Sequence, residues 1–484
     1  MTDRLTGFLR DGQDALERDD GAAAVTAFTS ALASVPPESG MTVALAMALA
    51  NAHRLQGDVL QARGVLAGAT AALPRASIEE AHALGAALID AGAPLEASAC
   101  FARVLSARPS DPAALGAMAA ARRLLADPGQ AWTLIQRALA IDAKHPALLF
   151  TAAQIRHDLG DLRGATRWLD AADAARPNHA PTRMQRAYTS LIAGASTEGW
   201  AAFESRALPV PVTRARAWQG EALAGQSILV TAEQGVGDQF QFVRFVPLLE
   251  TRDAARVVVE CHADAVGLFA ANGLDAVPRG SATETDWHVP MMSLPHRLGL
   301  GDAVHGTRVP YLAAPSPADE ASLPPRTSDA RPRVGLVWSG NPAFPGRFMR
   351  DLSDAMLPTL VGFDGVQWIS LQQGTKPDPD EATTNGLASL HSLAPQRDWS
   401  ATAAMLASLD ALVTTDTGIA HLAGAMGIRT WVLLQAVPDW RWGLSGGTTP
   451  WYPTLRLIRQ KRAGDWKGVI AALHAELAGA FVRG

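Results

Sequence analysis

Cysteine is almost absent from this chain: Cys100 and Cys261 are the 2 thiols in 484 residues. They fall in what read as different domains and lack ligand spacing. A disulfide framework and a thiolate metal site are therefore not expected, whereas free thiols in a reducing compartment are. Charge is also sparse, at 18% of residues with a net of −5, and without a basic excess nothing points to nucleic acid. No uninterrupted run reaches the about 18 apolar residues that a membrane span needs. The first residues, Met1-Thr2-Asp3-Arg4-Leu5, lack the apolar core of a signal peptide, so a cytoplasmic location is expected. What remains is a soluble composition, 48% hydrophobic, long enough for two or three domains.

The first part of the chain repeats. Alanine falls at 24, 62, 97, 131 and 165, with Gly199 next, in steps of 38, 35, 34, 34 and 34. Twelve residues after four of these marks stand Pro36, Pro74, Pro109 and Pro177, and Ala143 takes that place in the fourth copy. Gly57, Gly92, Gly160 and Gly194 precede their marks by five. Small residues at helix crossings, a turn glycine and a closing proline in phase resemble the tetratricopeptide repeat, over about six helix pairs in residues 1–207. The resemblance implies an all-α solenoid whose concave face holds a protein segment; an oligomerisation arm is the other reading. His53, His82, His145, His157 and His179 are scattered, and no metal is assigned to them.

Pro209-Val210-Pro211 marks a change of composition and opens a stretch with α/β character, residues 208–328. Ser227–Thr231 reads as a strand. The turn Glu233-Gln234-Gly235-Val236-Gly237-Asp238 follows, then a helix from Gln239 to Leu249. A dinucleotide fingerprint would need glycine where Phe240 stands, so NAD is not expected. Gly235 and Gly237 let the backbone approach a ligand instead. Asp238 has two readings: a cap for the following helix, or a general base for an acceptor hydroxyl. Arg256–Glu260 reads as a second strand, Ala263–Ala271 as a helix, and Trp287–Met292 as a short strand and loop in which His288 suits a packed position.

A linker rich in Pro, Ser and Asp leads to a second α/β stretch, residues 329–484. Its expected strands are Val334–Trp338, Val366–Leu371, Ala411–Thr415 and Thr430–Leu434, with helices Leu357–Val361, Ala401–Ser408 and Asp465–Phe481 between and after them. The last helix is a candidate to cross back onto the first half. Strands alternating with helices imply a parallel, doubly wound sheet with ligands at its carboxyl ends. At that edge stand Ser339-Gly340-Asn341-Pro342, the loop carrying Arg347 and Arg350, Gln372, and Asp416-Thr417-Gly418 opening a helix. Unpaired N–H groups at such a helix start, with guanidinium groups nearby, suit a ligand diphosphate; His421 stands one turn in, where it offers a hydrogen bond or a positive charge. An ordinary helix cap and solvated arginines are the plain alternatives. Asp378-Pro379-Asp380 imitates a metal motif but lies in a proline-rich loop, and Pro438-Asp439-Trp440-Arg441-Trp442 suits either stacking on a base or sugar or packing between domains.

The stretches Glu233–Asp238, Gly335–Pro342, Ser370–Gln372, Asp416–Leu422 and Pro438–Trp442 together resemble the GT-B glycosyltransferases, near glycosyltransferase family 9, the ADP-heptose transferases. The resemblance implies a GT-B fold of two Rossmann-like α/β halves behind the α solenoid. It places the catalytic aspartate at Asp238. Donor-phosphate contacts go to Asp416, Thr417, Gly418 and His421, with a basic residue at Arg347 or Arg350; Asn341 and Gln372, in matched stretches at the same edge, complete the donor set. Where the family carries Asn-Asp-Arg-x-Arg-Ser-Ile, this chain has Pro345–Leu352 and keeps an arginine at 350. The joined architecture is similar to O-linked N-acetylglucosamine transferase and to repeat-bearing flagellin glycosyltransferases. It implies an inverting, metal-independent protein O-glycosyltransferase that needs no cofactor beyond its nucleotide-sugar donor, such as a CMP-linked nonulosonic acid. The repeats would hold a client, with flagellin as the candidate. A non-catalytic repeat scaffold with a degenerate GT-B domain and a lipopolysaccharide heptosyltransferase remain the alternatives.

Overall fold

The computed structural model describes residues 2–37, 39–306, 308–316, 323–326, 330–344, 346–373, 390–392, 396 and 398–481. The Asp378-Pro379-Asp380 turn and Pro345 lie outside them. Two compact units result: Met1–Pro177 with Asn341–Met349, and Asn178–Gly340 with Arg350–Gly484.

Helices run in pairs from Thr2 to Phe203: α1 (Thr2–Glu17) with α2 (Gly21–Ala33), α3 (Met41–Leu55) with α4 (Val59–Gly68), and α5 (Ile78–Asp90) with α6 (Pro94–Ala107). Then come α7 (Pro112–Leu124) with α8 (Pro128–Ile141), α9 (Pro146–Asp158) with α10 (Leu162–Ala175), and α11 (Ala180–Ile192) with α12 (Ser196–Phe203). These are tetratricopeptide-like helical repeats. Ala24, Ala62, Ala97, Ala131 and Ala165 each lie on the second helix of a pair, fully buried at 0% exposure where neighbouring helices meet. Side chains of Asp20, Asp58, Asp127 and Asp161 accept from the third backbone N–H of four of those second helices, at 2.8–3.1 Å. The turn inside every pair has a left-handed residue at the same phase: Asp19, Gly57, Gly92, Ala126, Gly160 and Gly194, with φ from 53° to 83°. Glycine adopts that conformation freely; an alanine or aspartate is strained there.

The sixth pair, α11–α12, belongs to the second unit and not to the solenoid body. Its following residue Arg206 is buried and grips Glu233 through two bonds of 2.7 Å; it also donates to Ser293 Oγ at 2.8 Å. Glu233 in turn accepts from the Met292 amide at 2.9 Å. The first residue of the glycine-rich turn therefore anchors this helix pair to the sheet beneath it.

That sheet is wholly parallel, in the order β1-β5-β2-β3-β4, with β1 (Arg216–Ala217), β2 (Ser227–Thr231), β3 (Arg256–Cys261), β4 (Asp275–Pro278) and β5 (Trp287–Pro290). The second sheet, also parallel, runs β11-β10-β9-β6-β7-β8: β6 (Arg333–Val337), β7 (Gln367–Ser370), β8 (Leu390–Ser392), β9 (Ala411–Thr415), β10 (Thr430–Leu434) and β11 (Leu455–Arg459). Counted from β6 this is the doubly wound 3-2-1-4-5-6 order, whose direction reverses between β6 and β9. In the first sheet the reversal falls between β2 and β5. Those two reversals fix where a crevice opens.

Local detail departs from the sequence expectation in three places. Helix α13 (Val236–Phe242) starts before Gln239, and beyond Phe242 the chain tightens into a 3₁₀ stretch, Val243–Arg252, because Pro247 interrupts the α ladder. Asp238 consequently lies inside the first turn of α13. Arg347–Arg350 forms a single helical turn, not an open loop. Finally, Trp466–Phe481 buries Val469, Ile470, Leu473 and Leu477 with Val334, Leu336 and Trp368 of the second sheet, and so does not cross onto the first half.

Replacing Ala126 by glycine removes the strain of its φ of 62°. The gain, about 1–2 kcal/mol, is partly offset by the extra chain entropy of glycine, leaving about 0.5–1 kcal/mol of added stability. Gly160→Ala should lose a similar amount. Urea titration of the full chain followed by helical circular dichroism reads both; a loss at Ala126 or a gain at Gly160 would contradict the assignment.

Candidate functional site

The two reversal points meet in the second unit. Gly237, in α13, and Gly418, opening the helix Gly418–Met426, approach so closely that a Cβ on Gly237 would lie 2.9 Å from Gly418 Cα and 3.1 Å from His421 Cδ2. No side chain larger than hydrogen fits at Gly237. The consequence is that the starts of two helices from different sheets share one space.

Asp238 stands at that junction. One carboxyl oxygen accepts from the amide of Gly235, the residue before α13, at 3.0 Å. The other is paired with the Arg441 guanidinium. Burial raises the Asp238 carboxyl above its ordinary value, and Arg441 opposes that. Asp238 is not the N-cap of a helix that begins after it: it stands at the third position of α13, accepts from the amide that precedes the helix, and has a raised proton affinity. Its oxygens are occupied in this state.

Arg441, 8% exposed, holds more than Asp238. Its Nη1 donates to Asp439 Oδ1 at 2.8 Å and its Nε to Gln241 Oε1 at 2.6 Å. Burial works against its charge, but Asp439 and Asp238 outweigh burial and hold the proton more firmly. The guanidinium thus spans the two sheets, since Asp238 and Gln241 follow β2 and Asp439 follows β10. Gln241 is fully buried, and its Nε2 has no hydrogen-bond partner among the described residues.

On the other side, Asp416 and Thr417 follow β9. Burial lifts the Asp416 carboxyl to about 6, reinforced by Asp439 and opposed by Arg350, the Trp442 indole and Arg441. Thr417 caps without a side-chain bond to the helix; its hydroxyl pairs with Thr414 Oγ1 at 3.0 Å. The Ala420 amide donates to the Thr417 carbonyl at 3.0 Å, and the Gly418 and Ile419 amides before it have no side-chain cap. His421 is 5% exposed, shares a 2.9 Å hydrogen bond with Tyr452 and lies stacked on Trp442, with centroids 5.2 Å apart. Burial, Arg441 and Arg244 lower its proton affinity well below the ordinary value. Of the two roles open to His421, the positive charge is removed and the neutral hydrogen-bonding ring remains.

Beneath lies Arg244, 3% exposed and without a carboxylate partner among the described residues. It donates to the Trp451 carbonyl at 3.1 Å and to Tyr311 Oη at 2.7 Å, and it sits over the Tyr452 ring at 4.8 Å. Aromatic faces and carbonyls stabilise this charge.

The remaining predicted residues divide. Arg350 lies against Gly340 so tightly that a Cβ there would collide with it, and it donates to Asp351 at 3.3 Å; the same Cβ would lie 3.3 Å from the Thr417 methyl. Gln372 spends its carbonyl on the amides of Trp338 and Ser339, both at 3.1 Å, and its Nε2 on the Ser339 carbonyl, so it shapes the turn after β6. Asn341 and Arg347 fall in the segment grouped with the solenoid unit. Asn341 Oδ1 accepts from the Ala343 amide at 2.9 Å, and Arg347 lies 4.8 Å over the Phe348 ring. The structure brings Gly237, Asp238, Gly418 and His421 together, with Asp416 beside Arg350 and Arg441; it does not add Asn341 or Arg347 to them. The site residues that sequence reasoning left out are Arg441 and Gln241. Arg441 stood in a quoted motif, but its tie to Asp238 spans 203 residues and no local pattern records it. Among the described residues no cluster of His, Cys, Asp or Glu could hold a metal, and no helix is long and apolar enough to cross a membrane.

No family model matches the chain. It is similar to the protein FlbA of Caulobacter vibrioides, 24% identical over 363 residues, covering 64% of this chain and 58% of that protein. The chain thus spans less than two thirds of that relative's length. Solved structures with partial similarity include a tetratricopeptide repeat protein from Parabacteroides merdae, 16% identical over 43% of this chain and 82% of that one, TM-score 0.35. PilW, a type IV pilus biogenesis factor, is 16% identical over 41% of this chain and 90% of its own, TM-score 0.32. The repeat assignment itself rests on the chain's own period and helix pairs.

A carboxyl lifted in the folded state binds protons that the unfolded chain has released, so Asp416 favours folding at low pH and loses that contribution as pH rises from about 4 to about 6. Asp416→Asn should remove this slope and leave the protein more heat-resistant above pH 6. Thermal midpoints of both proteins from pH 4 to 8 decide it; parallel curves would show that Asp416 titrates normally.

Proposed function

We propose that this chain is a glycosyltransferase of GT-B type that transfers a sugar from a nucleotide-activated donor to a Ser or Thr hydroxyl of a client protein. The observation that carries the reading is the shared space between the two helix starts: Asp238 enters it from the first sheet, and the Gly418–Met426 start, with Arg350 beside Asp416, from the second. A donor's phosphates suit the unpaired N–H groups of that helix, its positive dipole end and the guanidinium of Arg350. Tucked under the same helix, neutral His421 offers its ring as a hydrogen-bonding wall.

The chemistry follows from where Asp238 stands. An acceptor hydroxyl attacks the anomeric carbon on the face opposite the leaving group, its proton passes to the Asp238 carboxylate, and the sugar–phosphate bond breaks with its electrons on the phosphate oxygen. One displacement inverts the anomeric centre. The departing charge is met by the helix start and Arg350, so the residues present can serve without a metal. Each Asp238 oxygen carries one bond, from the Gly235 amide or from Arg441, and keeps a second lone pair for the proton, and Arg441 opposes its uptake. Tetratricopeptide-like repeats are suited to holding the client. Flagellin is the candidate client and a CMP-linked nonulosonic acid the candidate donor, both on the resemblance of the joined architecture; a cytoplasmic location accords with this.

The occupied carboxylate of Asp238 favours a second reading, a repeat scaffold whose α/β part binds without turnover. Thermal shift against CMP-, UDP-, GDP- and ADP-linked sugars and their free nucleotides separates the two, combined with transfer assays on flagellin. A donor at 100 times its dissociation constant stabilises by about 2.7 kcal/mol, which is readily seen as a raised midpoint. Asp238→Asn should keep that shift while transfer falls by about 10²–10⁴. Normal turnover in the variant would remove Asp238 from the mechanism, and no shift or transfer with any donor would favour the scaffold.

A further inference from the structure

Asp439 opens a three-residue 3₁₀ turn, Trp440–Trp442, by accepting from the Arg441 amide at 3.1 Å. Each residue of this turn addresses a different body. Trp440, 6% exposed, meets the edge of Trp200 on α12, with centroids 5.2 Å apart at 88°. Arg441 grips Asp238 and Gln241 of α13. Trp442 stacks on His421 of the Gly418–Met426 helix at 20°. A 3₁₀ turn this short has no slack: a shift of Trp440 moves the Arg441 backbone with it, and interdigitated aromatic rings transmit displacement because cores are close-packed. Trp200 is itself held in register by Phe203 at 6.0 Å and Phe242 at 5.8 Å. Tyr188 of α11 completes the wall against Phe203 at 6.2 Å.

We propose that the turn Trp440–Trp442 is a junction through which the last helix pair sets the Asp238–Arg441 contact, with Trp200 as a positioning residue acting through Trp440. The pairing of Asp238 then depends on how α12 is seated, and a client that displaces α11–α12 alters the availability of the Asp238 carboxylate. The chemical meaning of that availability rests on the glycosyltransferase reading; the coupling itself does not. The charged and titratable groups facing Asp238 are Arg441 and Asp439 on the turn, Glu233 in the preceding loop and Tyr188 on α11, while Asp416 faces Arg441.

The test is made on the full chain with Trp200→Ala and Trp200→Phe, each in a background that keeps Asp238 and in one that carries Asp238→Asn. Thermal midpoints are measured from pH 4 to 9, and subtracting the Asp238→Asn curve from its Asp238 counterpart isolates the titration of that carboxyl in each background. Loosening Arg441 raises the Asp238 carboxyl further, so Trp200→Ala should move the difference curve to higher pH by about one unit, the lower end of what a contacting opposite charge supplies. Trp200→Phe, which keeps a ring against Trp440, should bring it back. A Trp200→Ala protein that still unfolds cooperatively and shows an unmoved difference curve overturns the junction, since a purely structural loss lowers both curves alike. Should Trp200→Ala not fold, Trp200→Leu replaces it with the same two outcomes. A moved curve in a protein that binds no nucleotide sugar keeps the junction and removes the enzyme reading; transfer with an unmoved curve does the reverse.

Discussion

A buried guanidinium between two carboxylates is the interaction on which the α/β unit turns. Arg441 reaches Asp238 behind β2 and Asp439 behind β10, and Gln241 takes its third side. Taking one arginine and two aspartates out of water is unfavourable unless nearly every hydrogen-bonding direction is met. Here the demand is met by groups from both sheets at once. Neither sheet presents this set alone, so the ion cluster specifies how the two sheets are held against each other more than it adds to net stability. The Gly237–Gly418 approach, tolerated because Gly237 carries no Cβ, brings the groups within reach.

A second buried arginine separates structure from chemistry. Arg206 is satisfied by Glu233 in a two-bond pair and by Glu204 and Ser293, so the acidic residue that opens the glycine-rich turn is tied up in holding α11–α12 to the sheet. Asp238, five residues on, bonds to the turn's own backbone and to a residue distant in the chain. Two acids in one short motif thus differ in what they join: Glu233 pairs with Arg206, which Glu204 shares, and Asp238 with Arg441, which Asp439 shares.

Much of this was legible in the sequence because it was periodic or local. The buried alanines, the turn glycines and the closing prolines recur in phase, and β2, β9 and β10 are continuous apolar, β-branched runs between turn residues. The left-handed positions Asp19 and Ala126 were not legible, because aspartate and alanine carry no signal for positive φ as strong as glycine's. Strand β11 was missed since Arg456 interrupts its apolar run, and β4 since it is four residues long and ends in proline. The start of α13 is not legible because Gly235-Val236-Gly237 reads as a loop, and the bond from the Gly235 amide to Asp238 that helps start the helix leaves no sequence signature. At the site, the helix starts could be read but the bridge between them could not. Pairing of Arg441 with Asp238 and of Arg244 with Tyr311 and Trp451 is tertiary, and a single sequence holds no record of it.

Charge balance at the junction limits what it can admit. Asp238, Asp416 and Asp439 face Arg441 and Arg350, Asp351 takes part of Arg350, and Arg244 helps hold His421 neutral. Burial lifts the proton affinities of Asp238 and Asp416. An anion arriving at the Gly418 helix start deepens the negative field unless Arg350 turns from Asp351 toward it or Asp416 keeps its proton. Either response draws positive character toward the anion and away from the aspartates. Arg441 is the cation bonded to Asp238, through Nη2, and it holds Asp439 through Nη1. Both sheets thus bear on the same acid, because Arg441 ties Asp238 behind β2 to Asp439 behind β10.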